Sequence, residues 1–335
     1  MNYVVFGGSG FIGTHLMRML TRDCTQPGDR IWCLDIVMPG EEGVVPGIVE
    51  RIEGVDYVRC DVRKPIGLKG YEPTPDDIVF NLAAVHRTPG HADYEYFETN
   101  IEGARNVLAF CEEHGIKRVL FTSSIAPYGV SEELKREDSL PQPNTPYGIS
   151  KLIAEEMHRA WQKAGEGRHL VVLRPGVVYG KGEHGNFTRL YKGLKGCYFA
   201  YTGRKDTVKA CVYVKNLVAF MRYRIIENAG PASELWNCTL EPAPTIERIV
   251  ETMLVATDMK RYVPIIPGGL LMETARILGP LGGKRVGIHP DRVRKLMVST
   301  NICGEKVMQS GFEWPYTFEE SIVDWYFDCG QEGLF

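Results

Sequence analysis

The chain has 335 residues, of which 44% are hydrophobic and 24% charged, and its formal net charge is −3. This is the composition of a globular protein, and the charge gives no reason to expect a nucleic-acid partner. No apolar run reaches the ~18 residues that would cross a bilayer. The nine cysteines lack the spacing of metal sites or disulfide frameworks. Because the sequence opens with a strand-like run, we expect no signal peptide. We therefore predict a cytoplasmic protein with no membrane segment and no metal site.

In the first half, short runs rich in valine and isoleucine alternate with helical patterns. The predicted strands are Tyr3–Phe6, Ile31–Asp35, Val55–Asp61, Asp77–Ala84, Arg118–Ser124 and His169–Pro175. Their largely apolar sequences are typical of strands that are buried on both faces of a parallel sheet. The clearest helical pattern covers Phe97–His114 and ends at Gly115. This alternation predicts an α/β fold with a doubly wound parallel sheet.

After about Gly180, helical patterns dominate. The predicted elements are one strand that returns to the main sheet, Leu235–Leu240, and the helices Lys215–Ile226, Thr245–Thr257, Gly269–Leu278, Asp291–Val298 and Thr317–Phe327. Open α/β sheets bind ligands at the carboxyl ends of their strands. We therefore predict a cofactor-binding domain over residues 1–180, to which residues 205–245 partly return. Residues 181–335 should form a smaller, mostly helical lobe that covers this edge and binds the substrate.

The segment "VVFGGSGFIGTHL" carries a glycine-rich turn between the first strand and the first helix. Gly7, Gly10 and Gly13 give one register, and Gly8, Gly10 and Gly13 give a second that fits G-x-G-x-x-G. In both, the missing side chains let the backbone approach a pyrophosphate at the helix N-terminus. Asp35, at the end of the second strand, can accept both ribose hydroxyls of NAD and would repel the 2′-phosphate of NADP. These features predict a Rossmann domain with NAD as cofactor.

The segment "TPYGISKLIAEEM" places Tyr147 and Lys151 one helical turn apart. A free phenol has a pKa of about 10, and a nearby ammonium group favours its deprotonated form. Such a tyrosine can take a proton from a substrate hydroxyl while hydride leaves the same carbon. Ser123 and Ser124 end a predicted strand, where a hydroxyl can hold the substrate oxygen beside Tyr147. We therefore predict a proton-transfer centre.

The chain resembles the extended short-chain dehydrogenases/reductases of the NAD-dependent epimerase/dehydratase family, which includes UDP-galactose 4-epimerase-like enzymes. The resemblance rests on "GGSGFIG", "CDVR", "NLAAVH", "TNIEGARNVL", "FTSSIAPYG", "YGISK" and "LRPGVVYG". It implies that Ser124, Tyr147 and Lys151 are the catalytic residues. It also implies a homodimer, formed through the helices that follow Phe97 and Tyr147. The cofactor-binding residues that follow from the motifs and the resemblance together are Gly7, Gly10, Phe11, Ile12, Gly13, Asp35, Asp61, Val62, Leu82, Ala83, Ala84, Asn100, Tyr147, Lys151, Pro175 and Val177.

Departures from the family pattern also limit the reactions that we expect the chain to catalyse. Sugar 4,6-dehydratases carry an Asp-Glu pair where this chain has Ile125 and Ala126, neither of which can transfer a proton. We therefore expect no dehydration, and decarboxylation is also disfavoured. Epimerisation at C4, through a transient 4-keto intermediate and with recycled NAD, is the favoured reaction. The alternatives are an NAD(P)-dependent dehydrogenase or reductase of a sugar or sterol-like alcohol, and a catalytically silent NAD-binding regulator.

The expected substrate is a small molecule, a nucleoside-diphosphate sugar. Family members that act on such sugars often place an asparagine after the Arg-Pro motif, where this chain reads Gly176-Val177-Val178. They also tend to carry an arginine where this chain has Lys209, which can neutralise phosphate without the guanidinium fork. His86 follows the "LAAV" run and is expected to face the pocket. The predicted substrate-binding residues are His86, Ser123, Ser124 and Lys209.

Overall fold

A computed structural model describes residues 1–41, 51–86, 90–228, 230–269 and 297–335. Seven parallel strands form the main sheet, in the order β10-β6-β5-β4-β1-β2-β3. Two further pairs, β7 with β9 and β8 with β11, lie outside it. The predicted doubly wound parallel sheet is confirmed. The strands are β1 Asn2–Phe6, β2 Arg30–Asp35, β3 Val55–Arg59, β4 Ile78–Asn81, β5 Arg118–Thr122, β6 His169–Pro175, β7 Val177–Tyr179, β8 Tyr201–Thr202, β9 Cys211–Tyr213, β10 Ser233–Cys238 and β11 Ile265–Ile266.

Helices connect the strands and cover both faces of the sheet. Between α2 and α3, residues Glu98–Glu102 form a π-helical turn, so the predicted helix Phe97–His114 begins earlier and is not regular throughout. The predicted helices Gly269–Leu278 and Asp291–Val298 lie largely outside the described residues. The described helices are α1 Phe11–Asp23, α2 Asp93–Phe97, α3 Gly103–Glu113, α4 Pro146–Ala164, α5 Asn186–Lys195, α6 Val214–Arg222, α7 Ile246–Ala256, α8 Glu305–Gln309 and α9 Phe318–Asp328.

For three strands, the end that the sequence predicts lies two or three residues beyond the end seen in the structure. The predictions Val55–Asp61, Asp77–Ala84 and Arg118–Ser124 end at Arg59, Asn81 and Thr122. Their last two or three residues leave the sheet and form the loops at its carboxyl edge. The predicted strand Leu235–Leu240 does join the sheet, as β10 beside β6, although it begins two residues earlier. The apolar pattern therefore located the seven strands of the main sheet but could not separate their ends from the loops that follow, and it did not predict the short strands β7, β8, β9 and β11.

Two apolar clusters explain why the strands of the sheet are hydrophobic on both faces. On one face, Val5 and Phe80 pack with Leu16 of α1 and Leu217 of α6. On the other face, side chains of the alternate strand positions pack against α3 and α4. Because successive residues of a strand point to opposite faces, both faces need apolar residues. The sheet is thus a buried layer, and its carboxyl edge is left to polar loops.

The second half of the chain builds a separate cluster that is rich in aromatic rings. Tyr179, Phe187, Tyr213 and Trp325 are buried in it, with side chains from α5, α7 and α9. The rings of Tyr179 and Phe187 stack with their centroids 4.5 Å apart. Among the residues that the structure describes, no helix combines the length and the apolar character needed to cross a bilayer.

Candidate active site at the carboxyl edge of the sheet

The glycine-rich turn lies against the loop that follows β4. Gly7 has a positive φ of 77°, and a Cβ atom there would lie 2.7 Å from the amide nitrogen of Ala83. A Cβ atom on Gly13 would lie 2.5 Å from the carbonyl oxygen of Gly8. Real side chains avoid such contacts, so the backbone can follow this path only with glycine at both positions. The turn thereby brings the backbone of Leu82 and Ala83 beside the start of α1.

The first turn of α1 leaves amide groups for a ligand. The helix begins at Phe11, and Gly10 at its N-cap has no side chain that could accept their hydrogen bonds. The N–H groups of the first helical turn, which include those of Phe11, Ile12 and Gly13, have no intrahelical acceptor. Together with the glycine cradle, they form a concave backbone surface that fits the pyrophosphate of a dinucleotide. The residues present therefore fit the expected cofactor.

Asp35 ends β2 directly beside this turn. Its carboxylate accepts hydrogen bonds from the amides of Ser9, at 3.0 Å, and Val37, at 3.3 Å. Burial raises the pKa of Asp35, and the hydrogen bonds from these amides oppose that shift. The carboxylate is thus fixed next to the glycine turn, as a ribose-binding group requires. Ser9 was missed in the sequence because only its backbone takes part.

The residues expected at the adenine end follow β3. The carboxylate of Asp61 accepts two hydrogen bonds from the guanidinium of Arg63, at 2.9 and 2.8 Å, which lower its pKa. The Val62 carbonyl accepts from the Asn106 side chain at 2.8 Å, and a Cβ atom on Gly103 would lie 2.8 Å from Val62 Cγ2. The structure thus fixes this loop against α3. Arg63 is a charged group at this end that the sequence motifs did not single out.

Asn100 holds the loop after β4 in place. It is buried, its side-chain oxygen accepts from the Val85 amide at 2.9 Å, and its side-chain nitrogen donates to the Val85 carbonyl at 3.1 Å. The same nitrogen donates to the Ser150 hydroxyl at 2.9 Å, which in turn donates to the Tyr147 carbonyl at 2.9 Å. These bonds connect the loop that carries Ala83 and Ala84 to the first turn of α4. Asn100 therefore acts on the expected cofactor site through the loop.

Tyr147 lies in the first turn of α4. Thr145 caps this helix by accepting a hydrogen bond from the Gly148 amide at 3.1 Å. The Tyr147 phenol is hydrogen-bonded to Ser124, and its ring centroid lies 6.2 Å from that of Tyr96. Burial raises the pKa of Tyr147 to about 12, although the hydrogen bond with Ser124 opposes the shift. The phenol therefore carries its proton at neutral pH in this structure.

Lys151 lies one turn further along α4 and is buried. Its ammonium donates to the Thr122 carbonyl at 2.9 Å and lies 4.9 Å from the centre of the Phe121 ring. Burial lowers the pKa of Lys151 to about 7. The pKa of Tyr147 is raised, not lowered as the sequence predicts, because burial outweighs the hydrogen bond with Ser124. The structure does bring Ser124, Tyr147 and Lys151 together at the end of β5.

Ser123 has different contacts from those that the sequence predicts. Its hydroxyl points into the protein and donates to the Glu155 carboxylate at 2.5 Å. Glu155 also accepts two hydrogen bonds from Arg174, at 2.8 and 2.6 Å. Because this hydroxyl is used inside the protein, we no longer assign it to the substrate. Ser124, whose hydroxyl accepts from the Ala126 amide at 3.2 Å, is the serine that faces Tyr147.

The segment after β6, which reads Gly176-Val177-Val178, packs closely against neighbouring backbone. The Gly176 amide donates to Cys238 at 3.0 Å, and the Val177 amide donates to Ala210 at 2.9 Å. A Cβ atom on Gly176 would lie 2.6 Å from the Ala210 carbonyl oxygen. A side chain at Gly176 therefore does not fit without a shift of the backbone. The Pro175 carbonyl accepts a hydrogen bond from the Ile125 amide at 3.2 Å, so the end of β6 lies next to the loop after β5.

The remaining two predicted substrate residues lie on loops. His86 is exposed and follows the loop that Asn100 holds. The ammonium of Lys209 donates to the Val298 carbonyl at 2.7 Å, and burial lowers the Lys209 pKa to about 8. The Lys209 side chain therefore joins the loop before β9 to the segment that contains Val298.

A parallel sheet with a glycine cradle, an acidic residue after β2 and a buried Ser-Tyr-Lys group defines a Rossmann-fold enzyme of the short-chain dehydrogenase/reductase type. Comparison with known proteins agrees. The NAD dependent epimerase/dehydratase family matches residues 3–238. The chain belongs to this family, which confirms the resemblance seen in its motifs and the assignment of NAD as the cofactor.

Three relatives illustrate the range of the family. The chain is 31% identical to N-acetyl-alpha-D-glucosaminyl-diphospho-ditrans,octacis-undecaprenol 4-epimerase of Escherichia coli O157:H7, over 96% of this chain and 93% of that one. It is 32% identical to D-erythronate dehydrogenase of Cupriavidus necator, over 98% and 99%. A crystal structure of UDP-glucose 4-epimerase from Thermus thermophilus in complex with NAD matches 99% of both chains, with a TM-score of 0.73 and 23% identity. The similarity to this crystal structure shows that the two chains share a fold.

Proposed function

We propose that the protein is an NAD-dependent 4-epimerase that acts on a sugar linked to a diphosphate, with Ser124, Tyr147 and Lys151 as its catalytic residues. The observation that carries the proposal is the contact of Ser124 with Tyr147 beside the glycine cradle, with Lys151 one turn away. When bound, NAD supplies a nicotinamide that can accept a hydride from a carbinol carbon and return it. The protein's own residues have to move the matching proton.

Ser124 and Tyr147 are the groups that can hold and move this proton. The Ser124 hydroxyl can hold the oxygen of a substrate hydroxyl, and the Tyr147 phenol can exchange one proton with it. An epimerase needs this exchange in both directions, because the hydroxyl is lost and then restored. Burial raises the pKa of Tyr147 to about 12, so the phenol has to pass on its own proton before it can take one from the substrate hydroxyl. Lys151, whose pKa is about 7, is the adjacent group that can carry a compensating charge.

Two side chains argue against dehydration. Ile125 and Ala126 follow Ser124, where a 4,6-dehydratase would need an acid and a base, and neither side chain has a proton to transfer. Net oxidation of a hydroxy acid or another alcohol is the second candidate, supported by the similarity to D-erythronate dehydrogenase. The contact of Tyr147 with Ser124, with Lys151 one helical turn further along α4, argues against a catalytically silent regulator.

The carrier of the sugar has two candidates. A nucleoside diphosphate is the first, supported by the UDP-sugar 4-epimerases among the relatives. A polyprenyl diphosphate is the second, supported by the similarity to the Escherichia coli enzyme along almost the whole chain. The stretch Gly176-Val177-Val178 and Lys209 favour the second, because the asparagine and the arginine that often hold a nucleoside diphosphate are both replaced. Both carriers present the same diphosphate chemistry next to the sugar.

A substrate screen tests the proposal. The purified protein should release tightly held NAD(H) on denaturation and should invert C4 of UDP-glucose, UDP-N-acetylglucosamine or the undecaprenyl-diphosphate-linked N-acetylglucosamine. Epimerisation of the lipid-linked sugar alone would select the second carrier. Stoichiometric turnover of added NAD by an alcohol, with no inverted sugar, would instead establish the dehydrogenase alternative.

We further propose a cytoplasmic homodimer in which residues 1–180 bind NAD and residues 181–335 contribute the substrate lobe. All nine cysteines are free thiols, which suits a reducing compartment. Ile149 and Ile153 on α4 are exposed by 37% and 39%. These apolar side chains lie on the helix that carries Tyr147, one of the two through which relatives are expected to pair. Sedimentation of the protein, with an Ile153→Glu variant as comparison, tests the dimer.

A further inference from the structure

A buried carboxylate lies directly behind the candidate catalytic residues. Glu155 is on α4, one turn after Lys151 and two turns after Tyr147, and its side chain has no exposed surface. It accepts hydrogen bonds from Arg174 Nε at 2.8 Å and Nη2 at 2.6 Å, and from Ser123 Oγ at 2.5 Å. Arg174 itself is 1% exposed. Arg159, whose side chain is 27% exposed, donates a longer hydrogen bond to the Glu155 carboxylate at 3.4 Å. Glu155 therefore joins α4, the residue that follows β5 and the strand β6 in the interior of the protein.

These contacts connect the two elements that carry the catalytic residues. Ser123 directly precedes Ser124, and its amide also donates to the Leu173 carbonyl at 2.7 Å. Moving α4 relative to the end of β5 would break the Ser123–Glu155 hydrogen bond. It would also strain two charge-assisted hydrogen bonds to Arg174 in a low-dielectric interior. The distance between Ser124 and Tyr147 is thus controlled from behind by Glu155.

Stability alone does not account for the buried ion pair between Glu155 and Arg174. Taking two charges out of water costs free energy, and apolar residues of similar volume often stabilise a core equally well. What apolar residues could not supply is a fixed negative charge near Lys151. The charge of Glu155 raises the pKa of Lys151, against burial, which lowers it. Glu155 therefore favours the ammonium form of the residue next to the reacting phenol.

Other groups around Lys151 also set its charge. The β5 strand contributes the Phe121 ring and the Thr122 carbonyl, neither of which titrates. The neighbouring titratable and charged groups are Tyr147, Glu155, His158 and Arg159 on α4, Arg174 on β6, and Tyr96 on α2. Glu155 is the only carboxylate in this set, and its side chain is fully buried one turn along α4 from Lys151.

We propose that Glu155 is a positioning residue for the reaction: it holds Ser124 at the correct place relative to Tyr147 and supplies the negative charge that keeps Lys151 in its ammonium form. The proposal rests on the proposed function, because it assigns Glu155 a role through those three residues. It also explains why Ser123, next to the catalytic serine, points inward.

The test is the Glu155→Gln variant of the NAD-loaded enzyme. Glutamine keeps the size of the side chain but not its charge. We expect kcat to fall about 10- to 100-fold, as misplacement of a reacting group does, while KM changes much less. Because loss of the anion lowers the Lys151 pKa, the high-pH limb of kcat should move to lower pH. The matched control is Glu156→Gln, the next residue of α4, whose side chain is 62% exposed and pairs with Arg159.

A second variant covers the case in which Glu155→Gln does not fold. Ser123→Ala keeps the Glu155–Arg174 ion pair and removes only the bond to the serine-bearing strand. It should reduce kcat with an unchanged pH profile. A folded Glu155→Gln with the kcat and pH profile of the wild type, or with only a lower melting temperature, overturns the proposal. If Glu155→Gln is unfolded, full activity of Ser123→Ala overturns it.

Tyr147→Phe, measured in parallel, separates this proposal from the proposed function. If Tyr147→Phe is fully active, the catalytic assignment fails and the role of Glu155 fails with it. If Tyr147→Phe is inactive while Glu155→Gln matches the wild type, only the role of Glu155 fails.

Discussion

The carboxyl edge of the sheet and the C-terminal lobe are held together by different interactions. At the edge, backbone contacts and buried polar groups dominate, as at Gly7 against Ala83 and at Glu155 with Arg174. In the lobe, aromatic rings pack on one another around Tyr179 and Trp325. Hydrogen bonds are directional and define positions within a few tenths of an ångström, whereas apolar packing tolerates substitutions of similar volume.

This difference separates the chemistry from the choice of substrate. The edge has to place a hydroxyl, a phenol and an ammonium relative to one another, and it does so with polar contacts such as those of Ser123 with Glu155 and of Lys151 with Thr122. The lobe can change its surface while it keeps its aromatic core. Relatives as different as a 4-epimerase and a D-erythronate dehydrogenase match almost the whole chain at about the same identity. We therefore expect variants at the edge to change turnover and variants in the lobe core to change stability.

The largest expected effect is that of Tyr147→Phe. The variant keeps the ring that packs near Tyr96 and removes only the hydroxyl that exchanges the proton. Turnover should fall roughly 10²- to 10⁴-fold, the contribution typical of a general acid–base group. The amount of NAD released on denaturation and the melting temperature should stay close to those of the wild type. Full turnover would show that the edge does not contain the proton-transfer group.

A lobe variant should show the opposite behaviour. Trp325 has no exposed surface and lies in the aromatic cluster, with its ring centroid 6.1 Å from that of Tyr179. Trp325→Ala should lower the free energy of unfolding by about 3–5 kcal/mol, measured by urea denaturation. Phe327→Ala, on the same helix but 60% exposed, is the control and should change it by less than about 0.5 kcal/mol. Equal losses would mean that the lobe core does not stabilise the protein as proposed.

The edge should also be the part of the molecule that responds to acid. His158 on α4 is buried, its Nδ1–H donates to the Ala154 carbonyl at 2.7 Å, and Nε2 accepts from Asn81 at 3.3 Å. Burial lowers its pKa from 6.5 to about 4. The folded state therefore binds fewer protons than the unfolded state between these values, so stability is lost as pH falls from about 6.5 to about 4. The loss can reach about 3 kcal/mol.

Urea unfolding at pH 7 and at pH 4.5 measures this effect. His158→Gln, which cannot take up the proton, should have a smaller difference between the two pH values than the wild type. Carboxylates contribute to both proteins, and the comparison removes their share. The same pH difference in both proteins would mean that His158 does not take part in the acid response.

A pair of glycines provides the finest test. Gly7 and Gly28 both have positive φ, 77° and 97°, but a Cβ atom on Gly28 meets nothing within 4 Å. Gly28→Ala should cost about 1–2 kcal/mol through the backbone conformation alone. Gly7→Ala should cost about 1–3 kcal/mol more, because the new atom is forced against the Ala83 backbone, and it should reduce bound NAD. Equal stability and equal NAD content would show that the close approach at Gly7 is not needed.

Much of this architecture is predictable from local sequence patterns. The strands, the glycine turn, Asp35 and the Tyr147–Lys151 spacing each depend on residues that are close in the chain, so periodicity and spacing locate them. The ends of three strands were misplaced, because apolar residues continue into the loops that leave the sheet. Ser123 and Ser124 were also indistinguishable in the sequence, since both follow β5.

The sequence by itself thus determined the parallel sheet, the cofactor turn and the pair of residues on α4, because local backbone chemistry dictates them. Only the tertiary structure decided which serine faces Tyr147, and that Lys151 donates to Thr122. The reason is that these choices depend on partners far along the chain. Glu155 accepts from Ser123, 32 positions before it, and from Arg174, 19 positions after it. No local pattern records such a meeting, which exists only once α4 packs against the sheet.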